Sequence, residues 1–230
     1  MIRVLSYIFW LFFPARCAVC GKILRCGEHI CNDCSGKLEP VDKICITCGN
    51  DKKQCTCKWQ VFRFRGCIGA FNKNDNSMAV IKNFKLGGNS YIADFLADHM
   101  VDKFKKHYAD IHFDAVTAVP VHPVKKFFKG YNHSEMLARR LGKTVNLPYR
   151  ELLWKIRFKK GQHNLNRKER FENIKGMFSA FLPQSAQTVL LVDDIKSTGA
   201  TLDECTRALM YAGVKDVYCI TAISNSGRNT

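Results

Sequence analysis

The stretch "TVLLVDDIKSTGAT", Thr188 to Thr201, decides how this chain folds. Thr188 to Val192 is an apolar run of strand length, and it ends on two adjacent carboxylates, Asp193 and Asp194. A small, hydroxyl-rich turn follows. From about Ala200 to Ala212, Leu202, Cys205, Leu209 and Ala212 recur at helical spacing, and Gly213 stops the helix. "VYCITAI" (Val217 to Ile223) then reads as a second strand. Strand, helix and strand in this order form a βαβ unit, expected to be right-handed and parallel, with ligands at the carboxyl ends of the strands.

That placement gives the acidic pair a purpose. Lys196 to Thr201 becomes an anion cradle: main-chain N–H groups at a helix N-terminus, Gly199 for close approach, and hydroxyl donors from Ser197, Thr198 and Thr201, with Ala200 starting the helix. Carboxylates cannot hold phosphate, but they accept hydrogen bonds from sugar hydroxyls or hold Mg²⁺ through water. Carboxylates for ribose beside amides for phosphate is the chemistry of a ribose-5-phosphate site. A Walker B strand also ends in acids, but its partner loop is missing, since Leu137 stands where the first Gly before Gly142, Lys143 and Thr144 belongs. A helix-capping Asp explains one carboxylate and a hydroxyl, and a phosphate-accepting Asp leaves the hydroxyl turn unexplained.

Outward from this unit the alternation repeats. "DAVTAVPV" (Asp114 to Val121) reads as a buried strand and "HSEMLARRLG" as the helix after it. From Ser90, the stripe Ile92, Phe95, Leu96, Met100 and Phe104 marks a helix that leaves Lys103, Lys105 and Lys106 in water. "VFRFRGCIGAF" (Val61 to Phe71) reads as a strand or hairpin edge. The expected fold class is α/β, a parallel sheet flanked by helices over residues 60–230.

At 230 residues and 47% hydrophobic, the chain has material for one main core and a small appendage. Its 36 Lys+Arg against 20 Asp+Glu give a net charge of +16. Such an excess points to a polyanionic partner: nucleic acid, nucleotide phosphates or an anionic membrane face. The basic residues Lys125, Lys126, Lys129, Arg139, Arg157, Lys159, Lys160, Arg167 and Arg170 are interleaved with aromatics that include Tyr131, Trp154 and Phe171. Cations along a phosphate backbone and rings under bases are what single-strand binding uses. The plainer reading is a solvated basic face with the rings in the core.

Residues 1–16 open with "MIRVLSYIFWLFFP", too short for a bilayer span of ~20 residues and without a small-residue cleavage site before Cys17. This reads as a short apolar helix stopped near Pro14, packed on the main domain or lying on a membrane surface, in a cytoplasmic protein. Nine of the 12 cysteines then crowd into residues 17–59. Cys17/Cys20, Cys31/Cys34, Cys45/Cys48 and Cys55/Cys57 are four close pairs, enough for two tetrahedral Zn–S₄ centres that fold a segment poor in core residues. Sequential and interleaved pairings fit the spacing equally, one site can be empty, and Cys26 is spare. The structural role competes with a nucleic-acid-contacting ribbon, while nothing singles out a low-pKa redox pair.

The stretch from Val189 to Thr201 resembles the phosphoribosyl pyrophosphate (PRPP) signature of type I phosphoribosyltransferases. The resemblance extends over most of the chain to the ComF (ComFC) competence family, through the paired cysteines, "VPVHPVKKFFKGYNHSEMLARRL" and "GQHNLNRKERFENIKGMF". Within these blocks the matching residues include Pro120, Val121, His122, Gly130, Tyr131, Asn132, Ser134, Leu137 and Ala138, then Gln162, Leu165, Arg170, Asn173, Gly176 and Phe178. The resemblance implies that Asp193 and Asp194 bind ribose hydroxyls, Lys196 to Thr201 the 5-phosphate, and Val119 to His122 the pyrophosphate, with Mg²⁺ accompanying PRPP and one or two structural zinc ions. It further implies a cytoplasmic role in natural transformation, after DNA has crossed the inner membrane, with single-stranded DNA as partner and beside helicase-like and recombination proteins; peripheral inner-membrane contact would come from the apolar N-terminal helix. An active phosphoribosyltransferase with an unidentified acceptor is the alternative. Lys129 stands where the family often has Arg and Ser197 where Thr is usual, changes that keep the charge and the donor respectively. His122 and His133 can each hydrogen-bond pyrophosphate, against the plainer role of local structural donors.

Overall fold

The computed structural model describes residues 14–25, 27–50, 52–87, 90–124, 127, 130–157, 167–181 and 186–225. The N-terminal apolar segment up to residue 13 and Cys26 lie outside these residues.

The main sheet has four parallel strands, β1 (Gly66–Asn72), β2 (Ala115–Ala118), β5 (Thr188–Lys196) and β6 (Asp216–Ser224), in the order β1-β6-β5-β2. Parallel strands need both faces covered, and β5 shows how the sequence meets that demand. Its side chains alternate across the sheet: Leu190 and Val192 enter one core, Val189 and Leu191 the other, and all four are fully buried. The first core is closed by helices α2 (Asp75–Gly87), α3 (Ser90–His107) and α4 (His133–Thr144), through Phe84, Leu96, Met100 and Leu141 among others. The second is closed by α6 (Ala200–Tyr211) and by a two-stranded antiparallel hairpin of β3 (Leu153–Lys155) and β4 (Phe178–Ala180), with α5 (Arg167–Ile174) between those strands in sequence.

The strand expected over Asp114 to Val121 forms at Ala115–Ala118, and the one in "VFRFRGCIGAF" forms at its apolar end only. β1 is an edge strand, but parallel rather than part of a hairpin, because its hydrogen-bonding partner is β6 from the far end of the chain. In α3, Ile92, Leu96 and Met100 are buried as their spacing predicts. Lys103 departs from it: instead of standing in water, its ammonium donates to the carbonyl of Val41 at 2.6 Å and lies 3.5 Å from Asp42.

The cysteine-rich segment, whose short helix α1 spans Asn32–Ser35, seals the exposed edge of β1. Val41 N–H donates to Ala70 O at 3.1 Å, Asn72 N–H to Glu39 O at 2.8 Å and Cys67 N–H to Ile46 O at 2.7 Å. An open edge invites pairing with another chain, and here the ribbon uses up its groups. Ala18, Leu38, Val41 and Ile44 share the first core and Cys48 the second, so the segment straddles the sheet. At the opposite side Gly142 lets α4 approach the sheet, since a Cβ there would sit 2.6 Å from Leu147 O and 2.7 Å from Val116 Cγ1. The "GKT" of the sequence is thus a packing contact. No described helix is long and apolar enough to cross a membrane.

Candidate functional site

At the carboxyl edge of the sheet a cleft of about 250 Å³ is lined by Lys85, Val119, Pro120, Val121, Tyr131, Asn132, His133, Ser134, Asp193 and Asp194. The two acids arrive there on the last turns of the pleat of β5. Asp193 pairs in register with Thr221 of β6, and Val119 N–H donates to Val192 O at 2.9 Å, so the loop after β2 is held alongside.

The block "GYNHS" builds the other wall by two hydrogen-bonding residues. Gly130 adopts φ +76°, a left-handed turn that glycine takes without strain. Asn132 caps α4: its Oδ1 accepts from Ser134 N–H at 3.1 Å while its Nδ2 donates to Val119 O at 3.0 Å. One side chain therefore ties the start of α4 to the end of β2. Ser134 then donates its hydroxyl to Asp193 Oδ1 at 2.9 Å, and the same oxygen accepts from Asp194 N–H at 2.9 Å.

Asp193 is buried, and its carboxyl is pushed up to about 7, by burial first and by the like charge of Asp194 second; the Ser134 hydroxyl, the Asp194 amide and Lys85 pull the other way. Asp194 Oδ2 lies 2.5 Å from the ammonium of Lys85, reaching in from the end of α2. Sequence reasoning missed Lys85; the stripe Val80, Ile81 and Phe84, all buried, marks its helix and would have brought it to this side of the sheet.

Beyond the acids the chain turns into α6. Gly199, at φ +85°, precedes its first residue, Ala200, whose N–H is capped by Thr198 Oγ1 at 3.3 Å. Among the described residues, the N–H groups of Ser197, Thr198 and Gly199 have no hydrogen-bond acceptor. Ser197 is exposed, Thr198 and Thr201 are half-buried. Lys196 is placed differently from its neighbours: its side chain is 2% exposed, lies under the turn, and its ammonium donates to Asn50 Oδ1 at 2.6 Å. Val121 lines the cleft, and His122 follows it with Nδ1 accepting from Val124 N–H at 3.3 Å. His133 is buried between the rings of Phe84 and Tyr131.

Of the basic residues, Lys125, Lys126, Lys129, Lys159 and Lys160 lie outside the described residues. Tyr131 lines the cleft. Arg139 pairs with Glu135 at 2.9 Å and covers the ring of Tyr149 at 4.0 Å. Arg157 and Arg170 are exposed, and Arg167 opens α5. The aromatics divide: Phe171 packs on the core, whereas Trp154, on the outward side of the hairpin with Ile156 and near Phe181, is 39% exposed.

The eight paired cysteines gather as Cys17, Cys20, Cys31 and Cys34 and as Cys45, Cys48, Cys55 and Cys57, with the sulfurs of each set within 4.8 Å of one another. The pairing is sequential. Sulfur separations of 3.8 Å (Cys20–Cys31), 3.7 Å (Cys45–Cys57), 3.8 Å (Cys48–Cys55) and 3.4 Å (Cys45–Cys55) lie at or a little under the edge of a tetrahedron of Zn–S bonds near 2.3 Å, about 3.8 Å. Each set also carries one prepared thiol. Burial pushes Cys17 up, but the N–H groups of Cys20, Cys31 and Val19 outweigh it and bring it to about 6; Cys48 is brought to about 7 against burial by the N–H groups of Thr56 and Asn50. Both sets fit structural zinc.

What the sheet and its rim define is a zinc-ribbon protein with a phosphoribosyltransferase-like α/β domain. Residues 8–58 match the double zinc ribbon domain family. The chain is 24% identical over 220 residues to Competence protein F of Haemophilus influenzae, covering 90% of this chain and 95% of that one. It is 24% identical to Competence protein ComFC of Streptococcus pneumoniae (88% and 96%) and 27% identical to the DNA utilization protein YhgH of Escherichia coli (91% and 98%). A solved glutamine PRPP amidotransferase from B. subtilis, in complex with ADP and GMP, aligns over 57% of this chain and 26% of its own, with 18% identity and a TM-score of 0.39. That score is too low to bear on the fold, which stands on the strand order and the acidic pair at the end of β5. Over about nine tenths of its length the chain is similar to competence protein F and ComFC proteins.

Proposed function

We propose that this protein binds PRPP, or a related 5-phosphoribosyl ligand, in the cleft at the end of β5, and single-stranded DNA on its basic face, as a cytoplasmic factor of DNA uptake in natural transformation. The observation that carries the reading is the side-by-side placement of two kinds of group: Asp193 and Asp194 in the cleft and, directly after them on the chain, the N–H groups of Ser197, Thr198 and Gly199, which have no acceptor among the described residues. The acids accept from the ribose hydroxyls. The turn and the start of α6 donate to the 5-phosphate from its main-chain N–H groups and from Ser197, Thr198 and Thr201. Val121 and His122, on the loop beside them, face the pyrophosphate. Mg²⁺ arriving with PRPP would be held by Asp193 and Asp194 through water, where it offsets the charge of the diphosphate.

The DNA reading is supported by the net charge of +16, by exposed Arg157 and Arg170, and by the outward Trp154. The names of the relatives, competence and DNA utilization proteins, support a DNA partner; on our reading the protein handles incoming strands beside helicase-like and recombination proteins.

Titration with PRPP–Mg²⁺ and with labelled single-stranded DNA, wild type against the double variant Asp193→Ala/Asp194→Ala, tests both halves. The double variant is expected to lose PRPP and keep DNA. Full PRPP affinity in that variant overturns the pocket assignment, and DNA affinity indifferent to salt overturns the basic-face assignment. Pyrophosphate release in the same mixtures, with candidate acceptors added, would instead favour the transferase alternative.

A further inference from the structure

The turn that follows the acidic pair does not rest on its own domain alone. Beneath it lies the ammonium of Lys196, 2% exposed, and its hydrogen-bond partner among the described residues is Asn50, two positions after the zinc ligand Cys48. The knuckle of the second cysteine set meets the sheet at two further points. Gly49 O accepts from Ser224 Oγ at 2.8 Å at the carboxyl end of β6, and a Cβ at Gly49 would lie 2.9 Å from Cys67 O of β1, so a residue without a side chain is needed there. Ser224 pairs in register with Lys196, and Asn225 N–H donates to Lys196 O at 2.9 Å. The floor of the turn is completed by the stem of Lys196 and by Phe62: a Cβ on Gly199 would meet Phe62 Cε1 at 2.8 Å and Lys196 Cε at 3.6 Å.

We propose that Asn50 is a positioning residue for the phosphate turn: carried on the second cysteine knuckle, it holds Lys196 under Gly199, so that the integrity of that one knuckle sets affinity for the 5-phosphate. The choice of Asn has a physical reason. A buried ammonium must have an acceptor, and an Asp in this place would supply one while cancelling the charge. A neutral amide oxygen satisfies the geometry and leaves the positive charge of Lys196 directed at whatever occupies the turn. The first cysteine set makes no described contact with Lys196, the turn or α6, so the two sets have different consequences.

This rests on the cleft being a phosphoribosyl site, and the test separates the two ideas. Ribose 5-phosphate and PRPP–Mg²⁺ are titrated calorimetrically into the full chain and into Asn50→Ala, Asn50→Asp, Cys55→Ser and Cys20→Ser, and hydrogen exchange of the amides from residue 197 to 201 is followed without ligand. Asn50→Ala and Cys55→Ser are expected to speed exchange in the turn and to weaken ribose 5-phosphate by tenfold or more. Asn50→Asp is expected to keep exchange slow yet lose affinity several-fold, a split that a merely structural role would not produce. Cys20→Ser is expected to leave both near wild type. Unchanged turn exchange in Asn50→Ala, or wild-type affinity in Asn50→Asp, overturns the proposal. Failure of the wild type to bind either ligand sinks the phosphoribosyl reading, and the exchange comparison still decides whether the knuckle holds the turn.

Discussion

Ser134 and Asp193 share a hydrogen bond of 2.9 Å between the first turn of α4 and the end of β5, and with the Asp194 N–H it fixes the orientation of a buried carboxylate on the cleft wall. Ser134→Ala removes a donor that favours the ionised form. The expected result is a further rise of the Asp193 pKa, PRPP–Mg²⁺ binding weakened about tenfold at neutral pH, and a stability loss of about 1 kcal/mol. Calorimetric titration with thermal unfolding measures both; wild-type binding by the variant would remove Ser134 from the site.

The raised carboxyl of Asp193, about 7 against an unfolded value near 4, makes a prediction about pH. Across that interval the folded chain holds a proton the unfolded chain has released, so this group's contribution to stability falls as pH rises from about 4 to 7 and is level above. Asp193→Asn should flatten this part of the profile in denaturant unfolding. Ribose hydroxyls and Mg²⁺ both prefer the carboxylate, so PRPP–Mg²⁺ affinity should climb from pH 6 to 8. Proton release on binding, read from the dependence of calorimetric heat on buffer ionisation enthalpy, checks the sign.

Lys85 occupies Asp194 with a 2.5 Å ion pair, which makes it a competitor of Mg²⁺ for the same oxygen. In Lys85→Ala the cleft becomes more anionic. PRPP without metal should then bind roughly tenfold more weakly than to the wild type, and added Mg²⁺ should restore a larger share of the affinity. Equal metal dependence in the two proteins would show that Lys85 takes no part.

Two zinc ions per chain are expected, measured by metal release on thiol modification, with Cys17→Ser and Cys57→Ser each reducing the count to one. Because the ribbon covers the β1 edge through Glu39, Val41 and Ile46, chelation should also expose that edge and promote self-association at high protein concentration, detectable by light scattering.

For single-stranded DNA, Trp154→Ala should cost about 1–3 kcal/mol with little change in salt dependence, as a stacking contact does. Arg157→Ala and Arg170→Ala should each lower the salt slope by about one, as phosphate contacts do. Fluorescence anisotropy over a salt series separates the two patterns.

The sequence made the carboxyl-terminal unit legible because β5, α6 and β6 are contiguous and each satisfies its own period. The acidic pair was readable for the same reason: its position follows from the end of one strand. Other parts depend on distant pairing. The three-residue strands of the β3–β4 hairpin are too short to display alternation, and they exist because Leu153 and Phe178 are needed on the second core. Lys196 reads locally as a member of the anion turn, but its side chain finds Asn50, 146 residues away. Lys103 reads as solvated from the helical wheel and is captured by a carbonyl of the ribbon. The cysteines announced metal by chemistry, whereas which pairs share an ion is a question of tertiary proximity that spacing leaves open.

The strand order β1-β6-β5-β2 carries a consequence for biosynthesis. The two middle strands are the last to leave the ribosome, and the two flanking ones, made first, have no neighbour in the sheet until then. A transcript truncated between Ala118 and Thr188 would yield a metal-bound amino-terminal module attached to two apolar strands that never meet, a species suited to chaperone capture and degradation.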